Sequence, residues 1–368
     1  MYYSYHKSVL LVVVCLSISC IEQGSAATHG SPRDDPHFPC PIPEDIEPCT
    51  CYYDAELSTL CLDCSHVKDS DQLAQVFQAP FPVSTFQNFT IDSNEDLFVI
   101  KNDTFNGVTF EEIWISWSVL EKIQINAFAG MESTLKRLFL YHNEISKFPF
   151  FVLDNYVVLE ALSLISNDIT YVPSIKSRSL KYLELGLNPI DNMPVNPFIH
   201  LPKLEKLHVE AIGLTELKQG LFEYNCDLNY ISLWGNELRH LEPYWFSFPG
   251  ADSMKQIVLN HNFMSVVHKD AFSGVSGSHI YMEFNEIETI KESVWRHVLQ
   301  GNNTIYLLGN HLQCGCDVAW LVWDRPLLDQ LVEAKCSDGQ YLVNLDPDSF
   351  SGCETTTTQS SITTFTVE

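Results

Sequence analysis

The chain has 368 residues, 45% of them hydrophobic, with 47 acidic against 21 basic side chains and a formal net charge of −26. No run of Lys or Arg offsets that charge, so the surface repels nucleic acid and anionic membrane, and a cationic or neutral partner is accommodated more easily. The charge says little about fold.

In chain order, Lys7, an apolar run over 9–18 and the small residues Gly24, Ser25, Ala26 and Ala27 predict a secretory signal peptide over 1–27. Cleavage is expected after Ala26 or Ala27. The run is too short to span a bilayer comfortably. A linker over 28–39 follows. Of the twelve cysteines, Cys15 and Cys20 leave with the signal, and ten remain in the mature chain. Cys40, Cys49, Cys51, Cys61 and Cys64 cluster in a segment over 40–80. In a secreted chain such a cluster reads as disulfides rather than a zinc site.

From about residue 86 to 312 a pattern L-x-x-L-x-L-x-x-N-x-L returns. Its clearest copies are Leu135-Leu138-Leu140-Asn143-Ile145 and Leu159-Leu162-Leu164-Asn167-Ile169. The anchor positions are Asn94, Ser118, Asn143, Asn167, Asn188, Ile212, Asn236, Asn262, Asn285 and Asn310, spaced 21 to 26 residues apart. This is the leucine-rich-repeat signature. It predicts an α/β solenoid, a horseshoe of about ten repeats over 81–313 with a parallel sheet on its concave face. Each repeat gives one short strand whose leucines point inward and whose alternate residues point out. The stacked asparagine amides satisfy turn backbone groups that would otherwise be buried unpaired. Ser118 retains a hydrogen-bonding group there. Ile212 does not, and a local irregularity is expected at it. Ten residues past most anchors stand Phe128, Phe198, Phe222, Phe246 and Phe272, with Phe105 one step late, which reads as an aromatic spine filling the convex side.

A solenoid has two open ends whose core and strand edges must be covered, and caps with little core of their own need staples. Cys314, Cys316, Cys336 and Cys353 follow the repeats, and the run Asn310-His311-Leu312-Gln313-Cys314-Gly315-Cys316-Asp317-Val318-Ala319-Trp320-Leu321 resembles the C-terminal cap (314–353) of extracellular leucine-rich-repeat proteins. The N-terminal C-x8-C-x-C-x12-C resembles the matching N-terminal cap. The resemblance implies the pairs Cys40–Cys51, Cys49–Cys64, Cys314–Cys336 and Cys316–Cys353, with Cys61 left over. A bond from Cys61 to the lone Cys226 would span many repeats, against disulfide geometry. Both are expected reduced, Cys226 buried beside Leu228 and Cys61 exposed, with linkage of two chains through an odd exposed thiol as the alternative. The Thr/Ser-rich segment 354–368 reads as a disordered, O-glycosylated tail, with no hydrophobic span or glycolipid-anchor signal after it. The chain is therefore expected to be soluble and extracellular. Asn88, Asn102 and Asn302 open N-glycosylation sequons, with Asn88 on the concave side of the first strand.

No catalytic motif stands out: no Walker-type phosphate loop, no H-E-x-x-H, no G-x-S-x-G. His142, His261 and His311 each precede a ladder position. They are too far apart along the solenoid to share a metal and read as flank histidines. No cofactor or metal is expected.

Binding residues are sought instead among the outward strand positions. The central one in each repeat is Thr90, Trp114, Phe139, Ser163, Glu184, His208, Ser232, Val258, Tyr281 and Tyr306. Trp114, Phe139 and Tyr141 cluster, with Trp117 at the edge; Tyr182, Tyr230 and Trp234 form a looser second group. The fold does not require aromatics there, and exposed aromatics mark interaction sites. The plainer account is that they pack on each other across strands. A glycan is also compatible with aromatic platforms beside Glu and Asn.

The stretch Cys40-Pro41, then Glu44-Asp45-Ile46-Glu47-Pro48-Cys49-Thr50-Cys51, Leu62-Asp63-Cys64-Ser65 and Asp71-Gln72-Leu73 resembles one branch more closely. That branch is the arthropod secreted proteins similar to the non-catalytic subunit of oplophorus-luciferin 2-monooxygenase, where a leucine-rich subunit accompanies a separate light-emitting enzyme. The resemblance implies a non-enzymatic binding protein, with a protein ligand or enzyme subunit held on the concave face. The other readings are a soluble recognition factor for microbial surfaces, matrix or a receptor, and, last, a cryptic hydrolase built on a chance Asp/Glu pair.

Overall fold

The computed structural model describes residues 38–54, 58–248 and 254–353. The expected signal peptide and Thr/Ser-rich tail lie outside them. One thirteen-stranded sheet runs through the described chain. Its first two strands, Thr50–Asp54 and Thr59–Asp63, pair antiparallel. From Thr59–Asp63 onward every neighbour is parallel, through to Leu331–Val332. The sheet therefore reaches into both cysteine-rich segments, and no bare edge of the repeat region is left at either end.

The register follows from alternation. Leu62, Phe89, Ile113, Leu138, Leu162 and Leu183 stand opposite one another in successive strands, and Leu207, Ile231, Ile257, Ile280, Ile305 and Leu331 continue the row. All are buried. Their neighbours Thr90, Trp114, Phe139, Ser163, Glu184 and His208 form the parallel outward row. A slip of one residue would exchange the two rows.

Each strand is ended by a left-handed residue. The ten positions just before the ladder anchors, from Ser93 to Gly309, have φ between +48° and +73°. Only Gly235 and Gly309 among them lack a Cβ. Each other residue there carries a cost of about 1–2 kcal/mol for that conformation. The ladder offsets it. Asn285 shows the pattern: its Nδ2 donates to Leu259 O (3.0 Å), Met282 O (3.0 Å) and Glu283 O (3.3 Å), while its Oδ1 accepts from Met264 N (3.0 Å). Ser118 keeps part of this function, its Oγ accepting from Asn94 N and donating to Ser116 O.

Ile212 has no such group, and the irregularity expected there is present. At six rungs the N–H two residues past the anchor donates to the next ladder oxygen, as Ile169 N does to Asn188 Oδ1 (3.0 Å), whereas Asn143 Oδ1 is left without a partner among the described residues. Ile190 N, facing Ile212, turns instead to Asn188 O (2.8 Å). The aromatic spine has gaps, and one of them falls at the same place. Phe105 lies on Phe128 (5.9 Å), Phe222 on Phe248 (5.8 Å) and Phe246 on Phe272 (5.4 Å). Among the described residues no ring contact joins Phe198 to Phe222.

Both ends are closed by apolar plugs. The helix Ser70–Val76, its start capped by Asp69 accepting from Asp71 N and Gln72 N, turns Leu73 and Val76 into the core. At the other end Ala319–Val322 is wholly buried, and Trp320 Nε1 donates to Ile290 O (2.9 Å). Disulfides join Cys40 to Cys51, Cys49 to Cys64, Cys314 to Cys336 and Cys316 to Cys353, the pairing the resemblance implies.

Two cysteine expectations are corrected. Cys61 is disulfide-bonded rather than reduced, and buried rather than exposed. It sits mid-strand between Tyr52 and Asn88, which shield it from both sides. Cys226 is exposed rather than buried beside Leu228. The preceding Asn225 takes the inward position, donating to Phe198 O and Leu201 O, which turns Cys226 outward.

Candidate functional site: the concave face

The strands place the first aromatic cluster on adjacent rungs. Trp114 and Phe139 face each other across the ladder pair Trp114↔Phe139, ring centroids 4.2 Å apart. Tyr141 meets Trp114 edge-on at 6.4 Å. All three are half-buried, so packing across strands and an offered surface coexist here. Trp114 Nε1 donates to Glu112 Oε2 (3.3 Å), and Glu112 also pairs with Arg137. That contact outweighs burial, which acts the other way, and holds the Arg137 guanidinium above its ordinary value. Burial pushes the Tyr141 phenol up. Trp117 stands at the edge, 58% exposed, stacked on His142 at 3.8 Å.

The second group is not the one expected. Tyr182 and Tyr230 do belong together, but the ring between them is His208, 5.2 Å from Tyr182 and 4.7 Å from Tyr230. His208 is buried and its Nδ1 lies 2.8 Å from Glu210 Oε1. Tyr182 hydrogen-bonds Glu184. Burial, with Glu184 beside it, drives the Tyr182 phenol far above its usual value, and burial with Glu210 pushes Tyr230 up to about 12. Trp234 stands apart from this pair. It meets His261 at 5.4 Å, and His261 stacks on Phe284 at 4.5 Å, a strip along the turn edge. Gly309 is required beside it, since a Cβ there would lie 2.6 Å from the Phe284 ring.

A third cluster escaped the sequence reading. Tyr281 and Tyr306 stack at 4.4 Å, with His279 Nδ1 3.1 Å from the Tyr306 hydroxyl. Both tyrosines stood in the outward row, but their strand-to-strand alignment was needed to join them to His279, two residues before Tyr281.

The face is acidic and rich in acceptors. Glu112, Glu184, Glu210 and Glu283 lie on it beside Asp92, which accepts from Ser116 Oγ (2.6 Å). Glu210 Oε2, Asn260 Oδ1, Glu283 Oε2 and Ser163 Oγ are buried and make no hydrogen bond among the described residues. Burial, then the charge of Glu333, pushes the Glu283 carboxyl up. Buried unpaired oxygens are rare in native proteins, and here they share one face whose donors, such as Trp114 Nε1 and Arg137, are already engaged. Among the described residues no group of three His, Cys, Asp or Glu could hold a metal, and no helix is long and apolar enough to cross a membrane.

The sequons differ in setting. Asn102 and Asn302 are exposed. Asn88 is half-buried on the concave face, its Nδ2 donating to Cys61 Sγ (3.7 Å).

A parallel sheet with an asparagine ladder, closed by disulfide-bonded ends, defines a capped leucine-rich-repeat protein, and the chain belongs to the leucine-rich-repeat family. The BspA type leucine rich repeat region matches residues 76–188 and 176–300, in six copies. The chain is similar to the Oplophorus-luciferin 2-monooxygenase non-catalytic subunit of Oplophorus gracilirostris, 34% identical over 314 residues that cover 84% of this chain and 87% of that one. It is 26% identical to Osteomodulin of Bos taurus over 50% of this chain and 37% of the relative. Its fold is that of a chain in the octameric complex of Latrophilin 3, Unc5D and FLRT2, with TM-score 0.65, 18% identity, and coverage of 87% of this chain and 96% of that one.

Proposed function

We propose that this protein is a secreted, non-catalytic binding protein that holds a protein partner on its concave face, as the accessory subunit of a secreted enzyme complex. The observation that carries the reading is the similarity, across most of both chains, to a relative named as a non-catalytic subunit. The face supports it. Half-buried aromatics offer anchor surface that loses little side-chain entropy on binding. Unpaired buried acceptors and the surrounding carboxylates ask for donors, so the partner segment is basic or presents free N–H groups. With a net charge of −26, encounter with such a partner is accelerated and salt-sensitive.

The test is affinity capture of the tagged protein from its native fluid, followed by mass spectrometry, with Tyr141→Glu run in parallel. A stoichiometric enzyme captured by the wild type and lost in the variant supports the reading. A monomer without a protein companion would redirect the search to microbial surfaces, matrix or glycans.

A further inference from the structure

The broken rung at Ile212 leaves an apolar chamber. Between most neighbouring repeats the segment leaving the strand is tied to its neighbour: Asp168 N donates to Ile145 O, Glu237 N to Leu214 O, Phe263 N to Leu238 O and Glu286 N to Met264 O. The equivalent donor facing Ile190 is Gly213, and among the described residues neither it nor Thr215 makes a backbone hydrogen bond to Ile190 or Asp191. The two repeats stay joined in the strands, where Leu187 N donates to Glu210 O (2.8 Å), and again farther round, where Asn225 Nδ2 donates to Phe198 O (3.1 Å). Between these two seams they part. The gap is a cleft of about 290 Å³, open to solvent on one side.

Its walls are core residues: Phe198, Val209, Leu217, Phe222 and Leu233 all line it and all are buried. Its rim carries Asp191 and the Glu216–Lys218 ion pair, whose charges are taken up by each other. The absence of ring contact between Phe198 and Phe222 is the same parting seen from the spine. Three features thus mark the same parting: a missing ladder amide, missing backbone bonds and an interrupted aromatic stack. An apolar cavity of about 150 Å³ accommodates benzene, so this one has room for roughly ten carbon atoms.

We infer that the chamber between the Asn188 and Ile212 repeats is a binding site for a small, neutral, mainly apolar organic molecule. Anions are disfavoured because the one lysine at the rim is already paired and two carboxylates lie beside it. Binding there is separate from partner binding on the concave face and does not depend on it.

The test titrates the purified secreted protein with 1-naphthylamine, a neutral fluorescent probe of about ten carbon atoms, and displaces it with 1-decanol. The expected result is one saturable site per chain, competitive with decanol, and a thermal midpoint that rises with decanol concentration. Two variants localise it. Leu217→Trp fills the chamber, and Ile212→Asn supplies the missing amide that draws the repeats together. Each should weaken probe binding by roughly tenfold or more. No saturable fluorescence and an unchanged wild-type midpoint would overturn the inference, as would unweakened probe binding in both variants. If either variant is not secreted, the decanol dependence of the wild-type midpoint still decides.

Discussion

Asn285→Leu removes one rung of the ladder with little change of volume. Asn285 is 3% exposed and makes four hydrogen bonds. The carbonyls are not all orphaned by its loss: Leu259 O still accepts from Asn262 Nδ2 and Met282 O from Asn310 Nδ2. Met264 N loses its acceptor, Asn285 Oδ1, and a buried donor left unmade costs about 1–3 kcal/mol. The lost carbonyl bonds add about 0.5–1.5 kcal/mol each, and the apolar side chain returns part of this by burial. The net destabilisation is about 2–4 kcal/mol. Urea unfolding of the secreted variant, followed by circular dichroism, reads it as a lower midpoint at constant slope. Because repeats unfold in coupled neighbours, the same variant should also lose hydrogen-exchange protection first in the strands Gln256–Val258, His279–Tyr281 and Thr304–Tyr306. A cost below about 0.5 kcal/mol would refute the claim that the amides offset the left-handed turns.

Trp114→Glu and Tyr141→Glu should abolish partner capture while leaving secretion intact, whereas Leu138→Glu, placing a charge at a 2% exposed core position, should block secretion; immunoblots of medium and cell lysate distinguish the cases, and retention of both concave variants in the cell would contradict the register. Cys316→Ser breaks the bond to Cys353 that fastens the C-terminal end and should cost about 2–5 kcal/mol, read as a fall in thermal midpoint with the N-terminal disulfides unaffected. Glu283 is raised above its ordinary value by burial. Its folded form therefore holds a proton more tightly than the unfolded chain, and the stability this gives is complete below the unfolded carboxylate pKa and lost as pH rises through the folded one. Glu283→Gln should accordingly match the wild type near about pH 4 and exceed it in stability near about pH 7, measured by urea midpoints at both. Peptide mapping after N-glycosidase treatment should find Asn102 and Asn302 occupied, because both are exposed; unmodified asparagine at both would contradict the secretory reading.

What the sequence made legible was whatever repeats. Leucine period fixes which side chains face inward, so the row from Phe89 to Ile305 and the outward row opposite it could be written from spacing alone, while Leu62 and Leu331, in the caps, could not. The irregularity at Ile212 was legible for a chemical reason, since an alkyl group cannot replace an amide. Its consequence was not: the chamber arises from bonds that fail to form between Gly213 and Ile190, and nothing in either residue's identity announces that. His208 was seen as an outward residue, but its place between Tyr182 and Tyr230 depends on lateral strand alignment. Trp234 was grouped with those tyrosines by row, yet its ring leans to the turn edge and His261. Cys61 and Cys226 went astray because cysteine pairing and burial depend on contacts outside the repeat period.

The central claim is that the outward face of the sheet takes the partner. Hydrogen–deuterium exchange on the captured complex against the free protein tests it most directly. The account predicts new protection in the strands from Thr109–Ser116 to Tyr230–Ser232, with the convex segments around Phe246 and Phe272 unchanged. Protection confined to the convex segments or to the cysteine-rich ends, with these strands exchanging as before, would contradict it.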